Sequence, residues 1–274
     1  MVDFLEMEQN LSKIQKNKKT VIIGASGGIG RELALELAST TQELVLHGLS
    51  QEKLDSLKDE IFENSYMTIM NEFLSYPKLT DISYKFTPSF FTDEEDTSTE
   101  STKNLLLDHI KTADTLCICY GPFLQKPLHQ MTQTEWLEVS TLVFALPGYL
   151  TSLALPQMME KKFGRILLFG GTRTDSINSF KTNPAYGAAK TAISSLVKSI
   201  SSEYRSYGIR CNAILPGFVE TEYVSEQEKN YYKKLLNSND LISPETIANS
   251  AKFILDSDSI NGILLKIDCG WEPK

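Results

Sequence analysis

Apolar residues along this chain fall into short β-branched runs separated by longer stretches of helical period. Thr20-Val21-Ile22-Ile23, Glu43-Leu44-Val45-Leu46-His47 and Thr115-Leu116-Cys117-Ile118-Cys119 are brief and almost continuously apolar. That is the pattern of strands buried on both faces rather than one. Arg31 to Ala38 carries strong helix formers at helical spacing. Thr134 to Lys161 predicts a long helix interrupted at Pro147 and Pro156, and Tyr186 to Tyr207 predicts another that stops at Gly208, a natural C-cap. Strands alternating with helices predict an α/β protein, a doubly wound parallel sheet with helices on both faces. The pattern spans residues 20–274 as a single domain. Residues 1–19 form an N-terminal extension, where basic, polar Leu11 to Lys19 predicts a short helix.

The segment 51–114 carries the weakest periodicity and reads as a lengthened, irregular region. Within it Tyr84-Lys85-Phe86 is the candidate for a further strand. Asp93-Glu94-Glu95-Asp96 followed by Thr97-Ser98-Thr99 reads as a solvated acidic stretch.

Two places carry chemistry. Gly24-Ala25-Ser26-Gly27-Gly28-Ile29-Gly30 joins the first strand to the first helix. A strand, a glycine turn and a helix in this order aim free backbone N–H groups at an anion, with the helix dipole behind them. Glycines let the backbone approach a pyrophosphate closely. Far downstream, Tyr186 and Lys190 are four apart and share one face of a helix. A cation beside a phenol favours the phenolate and lowers its pKa toward the range useful for proton transfer.

Composition narrows the field. The chain has 274 residues, is 41% hydrophobic and carries a formal net charge of -8, which supports one large core and argues against a nucleic-acid surface. No uninterrupted apolar run reaches about 18 residues, and the first twenty lack a secretory pattern, so a cytoplasmic protein with no membrane partner is expected. Cys117 and Cys119 lie on one face of a strand, and with Cys211 and Cys269 they make no metal-ligand spacing. No metal is expected, and His109 reads as structural.

The GxxxGxG spacing of Gly24, Gly28 and Gly30, with YxxxK more than a hundred residues later, resembles the short-chain dehydrogenases/reductases. The resemblance runs from about Thr20 to Trp271. Gly164 to Phe169 is similar to the family's fifth strand, and Arg210 to Thr221 to its sixth strand with the Pro216-Gly217 turn. Asn261-Gly262 and Asp268 to Trp271 resemble its closing segment. The resemblance implies a Rossmann-type fold and hydride transfer between NAD(P)H and a small-molecule carbonyl or alcohol substrate. It assigns Tyr186 as the proton donor to the forming alkoxide, and Lys190 as the group that binds the nicotinamide ribose and holds the phenol's pKa down. Gly24, Ser26, Gly28, Ile29, Gly30, Gly121, Pro216, Gly217, Val219 and Thr221 would contact the dinucleotide, with Val219 and Thr221 at the carboxamide.

The chain also departs from the family. Ile118-Cys119-Tyr120-Gly121 stands where the family has Asn-Asn-Ala-Gly. Val143 falls where the family places a catalytic Asn that supports a proton-relay water. No serine occupies the expected place before Tyr186, and Thr172 is the hydroxyl offered in its stead. An alternative is therefore a dinucleotide-binding protein of this type that works as a sensor or assembly partner. The second strand ends without the Asp typical of NAD users; Ser50, Lys53 or Arg31 could meet a 2′-phosphate, so NADP(H) is expected over NAD(H). The apolar content of the helices containing Val143 and Ile193 predicts a homodimer or homotetramer.

Overall fold

The computed structural model describes residues 19–69, 78–91, 100–237 and 241–271. Most of the expected Leu11–Lys19 helix and the acidic stretch from Asp93 to Thr99 lie outside the described residues. The strands are β1 (Lys19–Ile23), β2 (Glu43–Gly48), β3 (Lys78–Ser83), β4 (Thr115–Ile118), β5 (Gly164–Phe169), β6 (Ile209–Pro216) and β7 (Leu264–Ile267). They form one sheet in the order β3-β2-β1-β4-β5-β6-β7, and every pairing is parallel. The doubly wound fold is as expected.

Alternation along each strand sorts the side chains into two cores. Val21, Ile23, Leu116, Ile118, Ile166, Leu168, Ala213 and Leu215 face one side. There they meet helices α3 (Glu100–Lys111), α5 (Leu146–Lys161) and α6 (Pro184–Glu203). Ile22, Cys117, Leu167, Phe169 and Ile214 face the other side and meet α1 (Gly28–Ala38), α2 (Gln51–Ile69) and α8 (Pro244–Asp256). Each fully buried Leu or Ile is worth about 1.5–3 kcal/mol against exposure, so neither face can slip register without large loss.

The expected strand at Tyr84 to Phe86 is corrected. The strand is Lys78–Ser83, paired with β2 from Glu43↔Lys78 to Gly48↔Ser83. It is the sheet edge and only partly buried, so its apolar signal is weak. Phe86 is buried for another reason: it packs in an aromatic cluster with His47, Phe90 and Tyr120, at centroid distances of 4.6, 5.2 and 5.6 Å. The segment read as irregular also holds the 19-residue α2 and the 12-residue α3.

The break in the long helix is also not where the prolines suggested. α4 (Gln133–Ser140) runs into a π-helical turn, Thr141–Ala145, and then into α5. Leu146 N–H donates to Thr141 O, five residues back. Pro147 lies just after the π-helical turn, and α5 runs through Pro156 without a break. By length and composition Gln133–Lys161 could cross a membrane, yet Leu142, Leu146, Leu150, Ala154 and Met158 are buried against the sheet. α6 ends at Glu203, earlier than expected, and a 3-10 turn, Arg205–Tyr207, carries the chain to Gly208, which has φ +74 and where a Cβ would lie 2.2 Å from Lys162 O.

Between β1 and β4 the strand order reverses direction, which opens a crevice at the carboxyl ends of the strands. The glycine turn and Tyr120-Gly121 both lie at this crevice.

Candidate active site

The glycine turn is built by close approach as much as by backbone freedom. Gly24 has φ +89, and a Cβ there would meet Tyr120 N at 3.0 Å; one on Gly30 would lie 2.1 Å from Gly24 O. Gly28 opens α1 at φ +54, and Thr221 Cγ2 lies 3.4 Å from where its Cβ would be. Ser26 packs against the end of β2, where a Cβ on Gly48 would strike it at 2.4 Å. Ile29, the second residue of α1, packs partly buried on the core. α1 has no acidic residue in its first turn and no side-chain cap from Gly27, so its leading N–H groups are available to an anion. Gly28 N–H shows this, donating to Glu222 Oε1 and Oε2 at 3.2 and 3.1 Å. The turn thus accepts a negatively charged oxygen.

The second half of the site hangs on α6. Pro184 opens the helix and puts Tyr186 and Lys190 on its inner face. Lys190 is 6% exposed, and its Nζ donates to Phe169 O at the end of β5, at 2.8 Å. A Cβ on Gly121 would lie 3.3 Å from that Nζ. The glycine turn thus abuts Tyr120, and the next residue abuts Lys190, so the two halves form one continuous wall.

Burial sets the electrostatics. It pulls the Lys190 ammonium down to about 8, with Cys119 alongside acting weakly the other way. It pushes the Cys119 thiol up to about 12 and the Tyr186 phenol up to about 12. The phenol's pKa thus stands above its ordinary value, not below it as expected, because burial outweighs the charge of Lys190. Its Nζ lies 5.7 Å from the Tyr186 ring centroid and is committed to the Phe169 carbonyl. The ring itself packs on Val139, Val143, Ala185 and Ala189 and meets Phe123 edge-on at 5.0 Å. Those apolar neighbours remove the water that would stabilise a phenolate.

Val143, 1% exposed, sits in the π-helical turn beside Tyr186. A valine stands there in place of the polar residue the resemblance implies. On the loop after β5, Thr174 Oγ1 accepts from Gly171 N at 3.0 Å and donates to Gly171 O at 2.8 Å. Ser176 Oγ accepts from Asn178. Thr172 has no hydrogen-bond partner among the described residues, so its hydroxyl is the one left free.

The remaining expected residues lie on the far wall. Pro216 closes β6, Gly217 N donates to Ile267 O at 2.8 Å, Val219 bridges Ile242, and Thr221 sits over Gly28. Of the three candidates near a ribose, Arg31 is held by Glu32 and Glu60. Ser50 Oγ accepts from Lys53 N, and Lys53 Nζ lies 3.5 Å from Glu222. Phe123 and the segment from Glu222 were expected to line the site, but Cys119 beside Lys190 and the contact of Glu222 with Gly28 were not, because no local spacing marks a contact made across the fold.

A sequence model of the short chain dehydrogenase family matches residues 18–232. The chain belongs to the short-chain dehydrogenase family. It is an oxidoreductase of that family, whose members bind NAD(P). A 3-oxoacyl-[acyl-carrier-protein] reductase from Rickettsia bellii is 26% identical over 259 residues, covering 91% of this chain and 95% of its own length. Two solved structures share the fold. A 3-oxoacyl (acyl-carrier-protein) reductase from Agrobacterium tumefaciens, solved with NADP bound, has a TM-score of 0.78 at 18% identity, over 98% of this chain and 100% of its own. A Brucella melitensis 3-oxoacyl-[acyl-carrier protein] reductase with bound NAD has a TM-score of 0.74 at 19% identity, over 95% and 94%.

Proposed function

We propose that this short-chain dehydrogenase reduces a small-molecule carbonyl with NADPH, through Tyr186 as proton donor. Support comes from the unbroken wall running from the anion cradle at Gly28, through Gly24, Tyr120 and Gly121, to Lys190. When bound, the nicotinamide supplies the hydride. Tyr186 gives its proton to the carbonyl oxygen as negative charge develops there. A phenol at about 12 stays protonated at neutral pH and is more acidic than the alcohol it creates, so the transfer runs downhill. Lys190 holds the nicotinamide ribose, and its charge favours the tyrosinate left behind. Thr172 orients the carbonyl through its free hydroxyl. Val219 and Thr221 fix the carboxamide. The apolar faces of Phe123 and Val143 keep water from the phenol.

Preference for NADPH is supported by the end of β2, where Gly48, Leu49 and Ser50 offer no carboxylate to repel a 2′-phosphate. Ser50 and Lys53 are the groups to meet it, since Arg31 is held by two carboxylates whereas Lys53 has only the half-exposed Glu222 at 3.5 Å. The Rickettsia relative makes 3-oxoacyl thioesters the first carbonyls to try.

Val143 favours a second reading, a dinucleotide-binding sensor with little turnover. Titration with NADPH and NADH, followed by a carbonyl panel that includes a 3-oxoacyl thioester, separates the two. NADPH binding with turnover supports the reductase, and tight binding with no turnover supports the sensor.

A further inference from the structure

Glu222 and Tyr223 lie over the glycine turn, inside the space the anion cradle should serve. The Glu222 carboxylate takes the Gly28 N–H with both oxygens, at 3.1 and 3.2 Å, and pairs with Lys53 Nζ at 3.5 Å. The same ammonium sits 5.0 Å from the centroid of the Tyr223 ring. A Cβ on Gly27 would lie 2.1 Å from Glu222 Oε1 and 2.2 Å from Tyr223 OH. Gly27 has φ -179, an extended backbone that any residue adopts, so conformation does not require a glycine there. Space for the carboxylate and the phenol does.

The chain on either side of these residues is fixed. Glu220 N donates to Ile242 O at 2.8 Å and Ile242 N to Phe218 O at 3.0 Å, and Val219 bridges Ile242. Val224 N donates to Thr221 O at 3.1 Å, a turn that presents Glu222 and Tyr223 at its corner. Ser225 then caps α7 (Glu226–Leu236) through a capping box with Glu228.

We infer that Glu222 and Tyr223 form a latch that occupies the pyrophosphate cradle and must be displaced for a dinucleotide to bind. This rests on the dinucleotide assignment made above. A carboxylate and a pyrophosphate cannot share the same N–H groups, since like charges at hydrogen-bond distance repel strongly. Both sides of the Lys53–Glu222 pair are nearly half exposed, and an ion pair of that kind is weak, so the latch is one that a ligand can open. It lowers apparent affinity by the fraction of molecules in which it is closed.

The test is the dissociation constant for NADPH and for NADH, by fluorescence titration of the full chain, in wild type, Glu222→Ala and Tyr223→Ala. Amide exchange at Gly28 is followed by NMR in the nucleotide-free proteins. The latch predicts at least fivefold tighter dinucleotide binding in both variants, and faster Gly28 exchange in Glu222→Ala. Unchanged or weaker binding in Glu222→Ala overturns it, because Glu222 would then be neutral toward the dinucleotide or helping to hold it. If neither dinucleotide binds any of the three proteins, the dinucleotide assignment fails. Gly28 exchange then decides the latch alone, equal rates in wild type and Glu222→Ala overturning it.

Discussion

Lys190 Nζ donates to the Phe169 carbonyl at 2.8 Å, which ties the helix carrying Tyr186 to the last residue of β5. The bond keeps a buried ammonium where water cannot reach it, and burial in turn pulls its pKa down to about 8. The group is thus charged at neutral pH and loses its charge within the range an assay can cover. A charged Lys190 serves both to hold the ribose and to stabilise tyrosinate, so kcat/KM for carbonyl reduction should hold to about pH 8 and then fall by about tenfold per unit. A profile that stays flat to well above pH 9 would show that this ammonium takes no part.

Thr172 and Thr174 separate a catalytic hydroxyl from a structural one. Thr174 exchanges two hydrogen bonds with Gly171 and is buried, so Thr174→Ala should cost about 1 kcal/mol or more of stability, read as a lower Tm. Thr172→Ala should leave Tm unchanged and lower kcat by about 10²–10³, the usual cost of one oxyanion-type donor. If Thr172→Ala is kinetically silent, the substrate oxygen is oriented by another group.

His47 gives the chain an acid-sensitive core. It is fully buried against Phe86, its Nε2 lies 2.8 Å from Tyr84 O, and burial drops its pKa to about 4. The folded-state value lies below the unfolded one, so the neutral ring is favoured in the native state. That stability is present above the unfolded value of about 6.5 and is lost as pH falls toward 4. Between pH 7 and pH 5 this one group should remove about 2 kcal/mol. Urea unfolding at the two pH values measures the loss, and His47→Gln should abolish most of it. An equal loss in the variant would assign it elsewhere.

The outer face of the α4–π–α5 helix exposes Leu137 and Phe144, at 54% and 39%, while its inner face is filled by the core. We expect this face to lie in a subunit contact. Light scattering at micromolar concentration should give a dimer or tetramer, and Leu137→Asp with Phe144→Asp should give a folded monomer. A monomeric wild type contradicts this.

Much of this architecture was legible because each central strand is a short, two-sided apolar run and the turn after β1 is marked by glycines. Val21 to Ile23 and Leu116 to Ile118 could be read directly, while Gly208 marked the end of a 3-10 turn that follows α6 rather than of α6 itself. β3 was misplaced because an edge strand needs little apolar content, while Phe86 imitated a strand residue by packing in an aromatic cluster. The π-helical turn at Thr141–Ala145 leaves no trace in a pattern of period 3.6, and the prolines drew attention elsewhere. At the site, the spacing of Tyr186 and Lys190 identified the pair, but spacing on one helix cannot report which carbonyl captures the lysine. The expected lowering of the phenol's pKa gave way to burial for that reason. Glu222 was invisible as a contact because it reaches Gly28 from 194 residues away.

Reduction of a carbonyl substrate with NADPH, compared between wild type and Tyr186→Phe, tests the central claim most directly. The phenol supplies a proton only as charge develops on oxygen, so its loss should fall on kcat, by about 10²–10⁴, with the dissociation constant for NADPH nearly unchanged. A Tyr186→Phe protein that binds NADPH and turns over at the wild-type rate would contradict the account.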